Sequence, residues 1–236
     1  MPSLKFLSCA MSTIALILFA GHVAAQQQGN VQAQSEQQMP SYKPPMRGAP
    51  SSRVGGGSRG AGDDSPVVAV IAPDHTGLTL QEQPTLYWYV SKKVQIYVEL
   101  TVIDDVSVKP LLEKNLDTPV GPGIQSLSLK DYGISLKTGV EYRWYAALVV
   151  DPNQRSNDII ASGTIKRIVT SEATRDKLAR AQGIAAVAAY ADEGIWYDSI
   201  SSLMSLMNAN PSDEGLRRWY ASLLDQVGLG QIVRSP

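Results

Sequence analysis

Val94-Gln-Ile-Tyr-Val-Glu-Leu-Thr-Val102 decides the fold class of this chain. Val94, Ile96, Val98, Leu100 and Val102 alternate with Gln95, Tyr97, Glu99 and Thr101. A period of two sends one set to a buried face and the other toward water, which is the pattern of a half-buried strand. Strand texture continues on both sides. Val67–Ile71 is a short apolar run, and Thr85–Val90 is rich in the aromatics that suit a pleated surface. Leu111–Leu116, Ile124–Leu129, Val140–Val150 and Ile159–Val169 follow, separated by Gly, Pro, Asp and Asn turns. Short strands at this spacing predict an antiparallel β-sandwich over residues 66–169.

Leu136-Lys-Thr-Gly139-Val-Glu-Tyr142 resembles the corner of fibronectin type III and immunoglobulin-like sandwiches, where a Tyr hydroxyl bonds back to upstream backbone. The expected structural residues are therefore Tyr142 and Gly139 at the corner, with Trp88 and Trp144 in the core. Asp151-Pro-Asn-Gln-Arg-Ser-Asn-Asp158 lies between the last two strands. Its oxygen ligands raise the question of calcium. Arg155, Ser156 and Ser162 stand where a helix–loop–helix calcium site needs an oxygen ligand, Gly and Glu. A turn braced by Arg155 with Asp151 or Asp158 is the better reading. This loop and Pro73–Gly77 are the expected binding places, since sandwich loops carry function.

Beyond the strands the period becomes helical. Ser171 caps a helix carrying Leu178, Ala181, Ile184, Ala185, Ala188 and Ala191, which ends at Gly194. Trp196, Ile200, Leu203, Met204 and Met207 make a second helix, stopped by Asn210-Pro211. Ser212 opens a third with Leu216, Trp219, Tyr220, Leu223, Leu224 and Val227 before Gly228. Gly194, Ile200 and Pro211-Ser-Asp213 have tetratricopeptide-like spacing, but only about one repeat is present where a solenoid needs roughly three. The fold expected is thus mainly β with an α tail: an immunoglobulin- or fibronectin-like sandwich, then a tetratricopeptide-like hairpin or three-helix segment over 171–229, and a short C-terminal end at 230–236. Trp196, Tyr197 and Trp219 are candidate partner contacts on the tail, weighed against plain packing.

The N-terminal part has a different texture. Lys5 precedes the apolar stretch Phe6–Ala20, and Val23 and Ala25 are suitable small residues before Gln26. Residues 1–25 read as a secretory signal peptide. An uncleaved anchor over Phe6–Ala25 competes, but Ser8, Ser12, Thr13, Gly21 and His22 interrupt that span. Residues 26–65 are rich in Gln, Ser, Gly and Pro and read as a disordered tether, weakly basic through Lys43, Arg47, Arg53 and Arg59. The tether matches two catalytic patterns by chance, a dinucleotide pattern over Gly55–Gly60 and a hydrolase pattern over Gly56–Gly60. Neither has the preceding strand and following helix that its mechanism requires.

Composition limits the chemistry. The chain has 236 residues, formal charge −1, one Cys and two His. It offers no basic footprint for nucleic acid. Cleavage after Ala25 would remove Cys9, His22 and Lys5, leaving His75 as the one His in a chain without Cys. A thiol-free chain suits an oxidising compartment. His75 sits in Pro73-Asp-His-Thr-Gly77, where a solvated turn residue is expected ahead of a general base. Asp104-Asp105, Asp192-Glu193 and Asp213-Glu214 are expected at turns or a helix start. No catalytic, cofactor-binding or metal-binding residues are assigned.

The order of motifs is similar to that of domain-of-unknown-function family 928, exported bacterial proteins common in cyanobacteria. It runs Gly77-Leu-Thr79, Glu82, Pro84-Thr85 and Tyr87-Trp-Tyr89, then Tyr142-Arg-Trp144, Asp151-Pro-x-x-Arg155-Ser156, Gly163-x-Ile165-x-Arg167 and Gly194-Ile-Trp-Tyr-Asp198. Tyr87-Trp-Tyr89 departs from the arrangement usual at that position. The resemblance spans about Pro66 to Leu229 and implies export without implying an activity. The function expected is a non-catalytic exported module, periplasmic or extracellular, whose partner is another envelope or secreted protein. The alternatives are a carboxylate-dependent hydrolase of envelope polymer and an envelope assembly factor.

Overall fold

The computed structural model describes residues 39–45, 52–55, 65–94, 97–104, 109–116 and 120–233. The expected signal peptide, with Cys9 and His22, lies outside the described residues, as do Arg47, Arg59 and the rest of the two chance patterns after Gly55.

Among the described residues, nine strands form two sheets. One holds β1 (Val54–Gly55), β2 (Val68–Val70), β4 (Thr85–Val90) and β7 (Gly123–Ser128), in that order. The other runs β3 (Gly77–Thr79), β9 (Ile159–Arg167), β8 (Glu141–Val149), β5 (Tyr97–Asp104), β6 (Leu112–Leu116). All pairings are antiparallel except β3 with β9, which is parallel. The quoted alternation sets the register. Val98, Leu100 and Val102 point inward with no exposure, while Tyr97 on the other face is 52% exposed. Opposite them on β8, Trp144, Ala146 and Leu148 are fully buried.

Four helices follow: α1 (Glu172–Arg180), α2 (Ile184–Asp192), α3 (Trp196–Ala209) and α4 (Glu214–Gln226), with a last four-residue turn at Gly230–Val233. Ser171 caps α1, its side chain accepting the Thr174 N–H. The single helix expected from Ser171 to Gly194 is broken in two. The first helix is capped at Ala181, and Gly183, at the N-cap of the next, adopts φ 55° and ψ −134°, a backbone conformation open to glycine. The cap of α4 is Asp213, one residue after the expected Ser212, accepting from the N–H groups of Gly215 and Leu216. Asp192-Glu193 falls at the C-terminal end of α2, against the helix dipole, and Lys177 pairs with both carboxylates while Lys43 also pairs with Asp192.

Sheets and helices belong to one compact unit, residues 40–236, and share a hydrophobic core. Trp88, Trp144, Trp196 and Tyr142 are its largest buried side chains. Each such aromatic removes roughly 150–250 Å² from water, worth about 4–6 kcal/mol at ~25 cal/mol/Å² as an upper figure. The tether expected over residues 26–65 is corrected for two of its segments. Residues 40–45 pack on the helices, and residues 52–55 carry β1, which pairs with β2 and also reaches β9 through the Ser162 N–H bonding to the Ser52 carbonyl. Backbone pairing and burial of Tyr42 offset the ordering entropy that composition alone left uncovered.

Candidate functional site

Three close backbone approaches lie at or beside the seam between the sandwich and α3. A Cβ on Gly77 would stand 2.6 Å from the Tyr197 ring, and one on Gly163 would stand 2.8 Å from Ala72 Cβ and 3.0 Å from Trp144 Nε1. Gly194 has φ 72°, and a Cβ there would meet the Lys43 carbonyl at 2.6 Å. Gly77 lets the Tyr197 ring enter the sandwich, Gly163 lets β9 lie close against Ala72 and Trp144, and Gly194 lets the 40–45 segment pass. Its hydroxyl accepts the Trp144 indole N–H (2.9 Å) and donates to the Thr164 carbonyl (3.0 Å). The neighbouring Trp196 donates its indole N–H to the Ile71 carbonyl at 3.0 Å.

Asp198 completes the seam. Its carboxylate accepts the Thr79 hydroxyl (2.7 Å), the Leu80 N–H (3.2 Å) and the Gln81 side-chain amide (3.3 Å), at 4% exposure. Burial raises its pKa above the ordinary aspartate value, and the three donors oppose that rise. A buried carboxylate with this many donors locks α3 to β3.

A second polar cluster lies beside it. His75 is 6% exposed, which corrects the expectation of a solvated turn residue. Its Nδ1 faces Asp74 Oδ1 at 3.0 Å and its Nε2 faces the Tyr42 hydroxyl at 2.9 Å. A proton on Nδ1 donated to Asp74 leaves Nε2 to accept from Tyr42. Tyr42 stands edge-on to Trp196, centroids 4.9 Å apart. Arg53 donates to the carbonyls of Ala72 and Val227. The hydrogen bond from His75, followed by the charge of Arg53, holds the Asp74 carboxyl below its usual range. Burial, and then the Asp74 charge, push the Tyr42 phenol upward. The Tyr42 side chain is buried at the end of this Asp–His–Tyr line. The line holds the 40–45 segment to the domain. Tyr42 and Gln226, its other anchor, were not found by sequence reasoning. The available signal was that Tyr42 is the one aromatic between Phe19 and Tyr87.

The other singled-out residues separate into buried and exposed sets. Tyr142 accepts the Lys137 N–H at 3.0 Å, and Gly139 beside it has φ 81°. Arg167 secures the same corner through the Leu136 carbonyl and Glu82. Trp88 is 2% exposed. Trp196, Tyr197 and Trp219 are 0%, 2% and 7% exposed, which corrects their candidacy as a partner surface. Core packing takes the stripe they form. Asp151 caps its own turn by accepting the Asn153 N–H. Arg155 bridges Asp158 (2.6 Å) and both Glu99 oxygens (3.2 and 2.8 Å), so it crosses from the loop to β5. Of the two loops expected to bind, Pro73–Gly77 is mostly buried and residues 152–157 are exposed. Among the described residues, no group of three or more His, Cys, Asp or Glu is arranged to hold a metal ion.

Comparison with solved structures finds the crystal structure of a multi-domain immunophilin from Arabidopsis thaliana. It is 8% identical, with 81% of this chain and 96% of that chain covered, and at a TM-score of 0.16 the overlap carries no argument about fold. No curated protein matches the chain. The sequence profile of domain-of-unknown-function family 928 matches residues 54–236. That span contains both sheets, the corner and the seam built by Gly77 and the Gly194–Asp198 motif, and the chain belongs to this family.

Proposed function

We propose that this protein is an exported, non-catalytic binding module of the cell envelope or extracellular space, which meets another envelope or secreted protein through the sandwich end carrying residues 150–160. The observation that carries the reading is a set of exposed apolar side chains beside an ion-braced loop. Tyr97 (52% exposed) and Ile160 (45%) lie on the same face of the five-stranded sheet, and Val150 (46%) starts the loop. Arg155, tied to Glu99 and Asp158, restrains the loop, and a restrained loop loses less entropy on binding.

The architecture supports the same class. Strands β2-β4-β7 against β9-β8-β5-β6, with a corner Tyr at the start of β8, is an order an immunoglobulin-like sandwich would have. Helices α2 and α3 meet around Gly194 as a single tetratricopeptide-like hairpin would. Both architectures recur in proteins that bind other proteins, an analogy of fold only. Among the described residues no helix is long and apolar enough to cross a membrane.

The test uses the exported chain as bait on envelope fractions, beside a Tyr97→Glu/Ile160→Glu variant. A partner retained by the wild type and lost by the variant supports this face. A partner retained equally by both refutes it. Mass spectrometry of the same preparation should start at Gln26, and an intact Met1 would overturn processed export.

A further inference from the structure

The segment Pro40–Pro45 occupies its seat as a ligand occupies a site. Burial alternates along it, with Pro40 and Tyr42 buried and Ser41 and Lys43 exposed. The Gln226 side chain reads its backbone in both directions. Oε1 accepts the Tyr42 N–H and Nε2 donates to the Pro40 carbonyl, each at 2.8 Å. One amide thus supplies the pair of bonds that a neighbouring strand would supply. The Lys43 N–H goes to the Ala191 carbonyl at 3.1 Å.

Side-chain recognition is added to this backbone clamp. The Tyr42 ring stands against Trp196, and its hydroxyl meets His75 Nε2 at the bottom of the pocket. Lys43 pairs with Asp192. Gly194 lets the backbone pass, with Pro45 Cδ 3.2 Å from where a Cβ would stand. The walls have anchors independent of the segment. Trp196 is fixed to Ile71, His75 to Asp74, and Gln226 also donates to the Ser222 carbonyl one turn back at 3.1 Å. Prolines at 40, 44 and 45 stiffen the occupant and lower its entropy loss.

We infer that the groove between the Gly194 turn, α4 and the His75 loop is a peptide-recognition site for an extended Tyr–cation–Pro segment, filled in cis by residues 40–45. A partner carrying the same chemistry would displace the chain's own segment. The occupant in cis competes at an effective concentration of order mM, so the wild-type groove is closed to weak peptides. This site lies apart from the 150–160 end and stands without the reading given for that end.

The experiment titrates a synthetic peptide of residues 39–45 into the full-length chain, wild type and Tyr42→Ala, following Trp fluorescence. Saturable binding to Tyr42→Ala, at least tenfold tighter than to wild type, is expected. Peptides carrying Tyr42→Ala or Lys43→Glu should bind at least tenfold more weakly. A cooperatively folded Tyr42→Ala chain that binds no peptide, or binds a scrambled one equally, overturns the inference. Should Tyr42→Ala not fold, hydrogen exchange in the wild type decides. Tyr42 and Lys43 amides exchanging at least a hundredfold faster than those of β8 show a segment that detaches alone, and equal rates show an integral part of the core. A wild-type dimer that forms with concentration and is lost in Tyr42→Ala would put the segment in a second copy's groove and overturn the arrangement in cis.

Discussion

Three buried tyrosines differ in the number of partners their hydroxyls have, and Phe substitutions at the three form a graded test of the seam. Tyr197 has two partners, Trp144 and Thr164. Tyr142 has one, the Lys137 N–H. The Tyr220 hydroxyl is buried with none. Tyr197→Phe leaves the Trp144 indole N–H unpaired and takes one hydrogen bond from the Thr164 carbonyl, in a site where the ring itself is 2% exposed. Each lost bond contributes about 1 kcal/mol, and each buried group left unpaired costs about 1–3 kcal/mol, the larger figure already containing the smaller. The expected loss is roughly 2–4 kcal/mol for Tyr197→Phe, about 1 for Tyr142→Phe and about 0 for Tyr220→Phe. For a folded unit of this size, 1 kcal/mol moves the midpoint by about 2–4 °C, so Tyr197→Phe should lower Tm by about 5–15 °C. Urea unfolding followed by Trp fluorescence measures all three on one scale, and an unchanged m-value keeps the comparison valid. The reasoning fails if Tyr197→Phe matches Tyr220→Phe, because the hydroxyl would then contribute nothing to joining helix and sandwich.

Asp198→Asn tests the buried carboxylate through pH. An acid whose folded pKa is raised leaves the native state holding more protons, so stability falls as pH rises from about 4 through the folded value. The Asn variant should lack that downward slope in its urea midpoints, and a slope equal to the wild type's would show that Asp198 is not its source. Gly163→Ala should cost about 1–3 kcal/mol by overpacking, since the new methyl meets Ala72 and Trp144, neither of which is a flexible chain end; an unchanged thermal midpoint would contradict the close approach. Arg155→Ala, which takes a half-exposed guanidinium from carboxylates of Glu99 and Asp158 that are themselves 14% and 2% exposed, should cost about 1–3 kcal/mol and lose part of its effect in high salt. A larger loss that salt does not screen would assign the loop a packing role.

The sandwich is legible in the sequence because its strands are amphipathic at a period that no helix shares. Val98, Leu100 and Val102 declare their face by alternation alone. The strands β1 and β3 are not legible. Val54–Gly55 sits among Gly and Ser, and Gly77–Thr79 has three residues and is held by parallel pairing to β9, far along the chain. Neither carries a local period. The break at Gly183 is hidden for a related reason, as the spacing of small residues runs across it while the backbone turns. The Gly194–Asp198 motif is visible as a motif, but its partners Trp144, Thr164 and Thr79 are distant in sequence and unreadable from it. His75 is the sharpest case. Its neighbours Pro73, Asp74 and Gly77 have the composition of a wet turn, and its burial comes with a segment more than thirty residues upstream.

The seam also bears on how the chain divides. Composition changes sharply near residue 170, which invites separate β and helical domains. The packing argues for a single folding unit. Trp196 and Tyr197 stand at 0% and 2% exposure in the same core as Trp144, although they belong to α3. Removing residues 171–236 would strip both rings from the sandwich, and at about 4–6 kcal/mol of burial each this approaches the ~5–15 kcal/mol that holds a typical domain together. It would also leave the Gly77 backbone bare where the Tyr197 ring now lies against it, and the Trp144 indole N–H without its partner. A chain ending at residue 170 should therefore show no cooperative unfolding transition, while the full-length chain shows one. Heating both and following near-ultraviolet circular dichroism checks this. Two separate transitions in the full-length chain, or a cooperative one in the truncated chain, would mean that the sandwich folds alone and that α3 is an accessory docked on a finished domain.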